Sequence, residues 1–179
     1  MPKPVAPETT ILVAARNAIE ASDLKTDFSM PDLKIRHARH RHVRKTEEGV
    51  AVRFVDAAVR EEAGDMFTHS EVPWVATLDI IVDLELSPEP DDETAAPTDD
   101  IDVTGFDDLL AMARYCANVL VNPDEAAPMR QVVDDILPSD IDPDEDSTPD
   151  KGRLVISVVV LYRTRYDNLL ELLPVTGNV

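Results

Sequence analysis

Polar and apolar positions alternate most regularly between Trp74 and Leu86. Trp74, Ala76, Leu78, Ile80, Val82, Leu84 and Leu86 fall on one side of an extended chain, and Thr77, Asp79, Asp83 and Glu85 on the other. A period of two held this long predicts a half-buried β-strand. The run Arg153 to Thr164 also reads as a strand, with Leu154, Ile156, Val158, Val160 and Tyr162 on one face and Val155, Val159 and Leu161 on the other. Apolar side chains on both faces predict cover on both, hence a central strand or one at a subunit interface. A shorter alternation, Val50 to Val55, resumes around Ala58 to Arg60 and follows the turn signal Glu47, Glu48 and Gly49. With the extended character of Leu33 to Lys45 it predicts a hairpin.

Two stretches carry a helical period instead. Thr9 or Thr10 is expected to cap a helix reaching about Ser22, with Ile11, Leu12, Ala15, Ala18 and Ile19 on its apolar stripe. Thr104 is expected to cap the second, with Asp107 as the capping acid and Phe106, Leu109, Leu110, Ala113, Cys116, Ala117 and Leu120 as the apolar face. The first eight residues read as a flexible leader. Segments 87–103 and 122–152, rich in Pro, Asp, Glu and Thr, read as solvated acidic loop insertions, partly disordered, with room for a helical turn at Met129 to Leu137. The expectation is one α+β domain over 1–179, a mostly antiparallel four-stranded sheet with two helices packed on it.

Composition sharpens this picture. Apolar residues make up 44% of the chain and aromatics only 4%, so the core must be largely aliphatic. Acidic residues number 36 against 17 basic, a formal net charge of -19 that disfavours non-specific attraction to nucleic acid. Arginine outnumbers lysine, and the acids gather as Asp in loops with Pro and Thr. Such a surface suits a high-salt cytoplasm, where a Debye length of about 3 Å at 1 M screens its self-repulsion. The single cysteine, Cys116, permits no internal disulfide and reads as a small core residue. The first residues lack the apolar centre of a signal peptide, and no run approaches the roughly 20 apolar residues that cross a bilayer. The expectation is a protein made and kept in solution, with no membrane contact.

Candidate chemistry is sparse. Lys34, Arg36, His37, Arg39, His40, Arg41, His42, Arg44 and Lys45 form a basic island with no acid among them. His37, His40 and His42, with His69, invite a metal reading. On a strand, however, His37 faces away from His40 and His42, and the flanking arginines oppose a cation. No specific metal site is expected. Segment 34–45 as a nucleic-acid-binding or regulatory module is a rival reading, although no aromatics interleave with its cations. Asp91 and Asp92, Asp99 and Asp100, or Asp134 and Asp135 could pair on a divalent cation. Asp140, Asp142, Asp144 and Asp146 approach a calcium loop but lack its sixth-position Gly and its closing Glu. No nucleophile elbow and no Gly-rich phosphate loop is present in the sequence, so neither catalysis nor a cofactor is expected.

The order of the helix at Glu8 to Ser22, the strand WVATLDIIVDLEL at 74–86, the helix DDLLAMARYCANVL at 107–120 and the ending LVISVVVLYRTRYDNL at 154–169 resembles the tail-terminator and neck proteins of tailed viruses. The long apolar strand closing on Tyr162, Arg163 and Thr164 is the most specific part of the likeness. The acidic insertions and the basic island depart from the compact pattern. The resemblance implies a non-enzymatic virion protein of a tailed bacteriophage or of an archaeal tailed virus, a halophilic one if the acidic surface is a salt adaptation. It would form a hexameric ring at the head-proximal end of the tail tube and be assembled in the host cytoplasm. Its partners would be further copies of itself, the tube protein and connector proteins, with DNA passing through the lumen without specific binding. A stopper or tail-completion protein is the nearest alternative. The residues expected at subunit or partner interfaces are Arg36, Arg39, Arg41, Arg44, Val155, Val159, Leu161, Arg163 and Arg165. If the acidic surface is a salt adaptation, the urea midpoint rises steeply from dilute buffer to molar KCl; an unchanged midpoint would exclude that explanation.

Overall fold

The computed structural model describes residues 5–38, 49–60, 70–85, 104–122, 124–143 and 151–173. The longest elements are the two strands with the strongest alternation. Glu71–Glu85 and Lys151–Arg165 pair antiparallel over their whole length, Glu71 opposite Arg165 and Glu85 opposite Lys151. Numbered in chain order, the strands are β1 (Lys34–Ala38), β2 (Gly49–Val59), β3 (Glu71–Glu85), β4 (Asp135–Pro143) and β5 (Lys151–Arg165). The helices are α1 (Pro7–Ala21), α2 (Leu24–Asp27), α3 (Thr104–Val121) and α4 (Ala127–Arg130). The fold is α+β, with a five-stranded mixed sheet in the order β1-β2-β3-β5-β4.

Two expectations about the sheet are corrected. Segments 33–45 and 50–55 do not make a hairpin: β1 runs parallel to β2, with Lys34 opposite Gly49 and His37 opposite Val52. Their connection, 39–48, lies outside the described residues. The close approach of the two strands depends on Gly49, since a Cβ there would collide with the carbonyl oxygen of Lys34. The second correction is a fifth strand. β4 arises inside the segment expected to be an acidic loop and pairs with β5, with Ile136 opposite Val160. Acids and prolines hid a strand that pairs with β5 through Asp135 to Pro138 and again through Ile141 to Pro143. β2 also runs without a break where two pieces were expected, a register shift between Phe54 and Asp56 absorbing the lapse in alternation.

Residues at even positions of β3 and β5 form one face, and it carries the core. Ala76, Leu78, Ile80, Val82, Leu154, Ile156, Val158, Val160 and Tyr162 are buried there under the helices. α1 packs over β1 and β2, α3 over β3, β5 and β4. Both helices therefore cover the same side of the sheet. α1 starts earlier than expected: Pro7 occupies its first turn, Ala6 is the N-cap, and no side chain caps it. The fixed φ of proline suits that position and needs no hydroxyl. On α3 the buried row is Leu109, Met112, Ala113, Cys116, Val119 and Leu120, while Leu110 and Ala117 lie half-buried at its flank. The row is centred on Cys116, so its face is rotated slightly from the expected one; the side chain of Phe106 lies outside the described residues. Burial pushes the Cys116 thiol up to about 12.

One end of the core is keyed by aromatics. The Trp74 and Tyr162 rings stack with centroids 6.2 Å apart. The Trp74 indole donates to Thr164 Oγ1 at 2.9 Å, and the Tyr162 hydroxyl donates to Glu8 Oε1 at 3.2 Å, tying α1 to β5. Burial first, and Glu8 second, raise the Tyr162 phenol above its ordinary value.

Gly49→Ala is expected to lower stability by about 1 to 3 kcal/mol through the forced shift of β1. Urea unfolding reads this loss, and hydrogen exchange should show β1 amides losing protection first. Equal midpoints for variant and parent would mean that the approach to Lys34 is not tight.

Candidate functional site

Odd positions of β3 and β5 point away from the helices, and among the described residues no helix covers them. This second face divides into two halves. The half toward Gly49 is polar and closed. Arg53 holds Asp79 through Nε at 3.2 Å and through Nη2, and Ser157 Oγ donates to the other carboxylate oxygen at 2.8 Å. Asp79 is only 6% exposed, and these bonds satisfy a charge that would otherwise be costly to bury. Arg153 grips Asp83 in a two-pronged pair, Nε to Oδ1 at 2.6 Å and Nη2 to Oδ2 at 2.9 Å. Ile81 sits between the two ion pairs along β3 and is 2% exposed.

The half toward Glu71 is apolar and open. Successive rows across the sheet run Ala58, Val75, Leu161 and Asp135, then Asp56, Thr77, Val159 and Leu137, so an aliphatic centre is flanked by a carboxylate on either side. Val75, Val159 and Leu161 are half-buried and Leu137 is 44% exposed. They line a cleft of about 530 Å³, together with Ala58, Val59 and Arg60. Beyond it Arg163 bridges three elements, donating from Nε and Nη2 to Asp134 at 2.9 and 3.0 Å and from Nη1 to Glu71 at 2.7 Å. The hydrogen bond to Asp134, foremost, raises the Arg163 guanidinium further above its already high value.

The residues expected at an interface distribute unevenly over this face. Val159 and Leu161 line the open cleft. Val155 lies opposite Ile81, in the closed half. Arg36 stands opposite Ala51 on β1, at the far edge. Arg39, Arg41 and Arg44 lie outside the described residues. Arg163 fastens β5 to β3 and to the start of β4. Arg165 is bound within its own turn, to Asp167 at 3.1 Å and to Glu171 at 3.6 Å. Both arginines thus have intramolecular duties that the sequence did not disclose.

The other candidates fare similarly. His37 lies on β1, whereas His40, His42 and His69 lie outside the described residues, as do Asp91, Asp92, Asp99 and Asp100. Asp134 and Asp135 are engaged by Arg163 and Arg130. Asp140 and Asp142 belong to strand β4, not to a loop; Asp144 and Asp146 lie outside the described residues. Among the described residues no group of three His, Cys, Asp or Glu is placed to hold a metal ion, and no helix is long and apolar enough to cross a membrane. A groove of about 640 Å³ along α3, lined by Phe28, Tyr115, Val121, Pro138 and Val158, has Arg114 as its only charged lining residue among those described.

Sequence reasoning missed the Arg53–Asp79–Ser157 network and the Arg153–Asp83 pair. The signal was available: Asp79 and Asp83 interrupt the apolar content of a long strand at positions of one parity. Only the pairing register showed which cations stand opposite. No known family profile matches the sequence, and no characterised protein shows significant similarity to it.

Asp79→Ala should cost about 1 to 3 kcal/mol, since it removes the buried carboxylate that the Arg53 guanidinium and the Ser157 hydroxyl both bind. Asp135→Ala, on an exposed pair, should change stability by less than about 0.5 kcal/mol. Urea unfolding compares the two; equal effects would contradict the closure of this half.

Proposed function

We propose that the chain is a structural, non-catalytic subunit that acts by self-assembly: a tail terminator of a tailed virus, forming a ring at the head-proximal end of the tail tube. The observation that carries this reading is the second sheet face. In an acidic chain whose described arginines are so largely engaged in ion pairs, it keeps an open apolar patch at Val75, Leu137, Val159 and Leu161. Contiguous apolar surface on a sheet calls for a partner.

The sheet edges support face-to-face assembly over edge-to-edge pairing. The edge strand β4 carries Pro138 and Pro143 with a register break after Pro138. Prolines and bulges blunt an edge. The net charge of -19 fits a ring whose lumen passes DNA without retaining it, because like charge opposes phosphate contact. Further copies, the tube protein and the connector would be its partners, and the virion its place of residence after assembly in the host cytoplasm. A stopper or tail-completion protein at the same junction shares these requirements.

Light scattering on size-exclusion eluate, in molar KCl, and negative-stain imaging test the proposal. The parent should elute as a closed assembly and show rings. Val159→Asp, on the face away from the core, should retain the circular dichroism of the parent and lose the assembly. A parent that stays monomeric in high salt and ignores tail-tube subunits would refute the reading.

A further inference from the structure

We draw no further inference here: the strongest candidate, the antiparallel return after β5, where Thr164 bridges Leu172 and Tyr166, Leu169 and Leu170 stand exposed, is an apolar surface patch whose carboxylates Asp167 and Glu171 are already paired with Arg165, and nothing in the structure shows what covers it.

Discussion

The antiparallel pairing of β3 with β5 is the constraint on which the other features rest. With Glu71 opposite Arg165 and Glu85 opposite Lys151, it runs unbroken and fixes the parity of two long strands at once. Even positions meet the helices, odd positions face away. A slip of one residue would turn Ile156, Val158 and Val160 outward and bury Ser157 in their place, so hydrophobic content and register enforce each other. Pairing with both β3 and β4 puts β5 inside the sheet, and its return segment is held by the same strand end.

That parity also explains how a chain so rich in acids handles its few cations. Arg53, Arg153 and Arg163 stand on the odd face and are matched by Asp79, Asp83, Asp134 and Glu71 from adjacent strands or their ends. These pairs are two-pronged or shared and partly shielded from water, where such geometry is worth most. They close one half of the face and leave the other to aliphatic side chains. The apolar cleft is thus defined as much by where the ion pairs stop as by its own residues. At the strand's end Arg165 repeats the device, spending its charge on Asp167 and Glu171 so that the turn can aim Tyr166, Leu169 and Leu170 outward.

The sequence by itself determined the two long strands, the two long helices and the aliphatic core, because period and composition are local properties that survive whatever the rest of the chain does. Trp74 to Leu86 and Leu154 to Tyr162 could hardly be anything else. Tertiary structure decided what depends on partners distant in the chain. β1 lies parallel to β2 with Gly49 admitting the Lys34 carbonyl, a contact no local pattern announces. β4 forms from a stretch of Asp and Pro because β5 offers it a ladder. Arg163 and Arg165, which looked like interface residues, are engaged by carboxylates that only folding brings within reach, and the division of the odd face into a closed and an open half follows from which charges stand opposite one another.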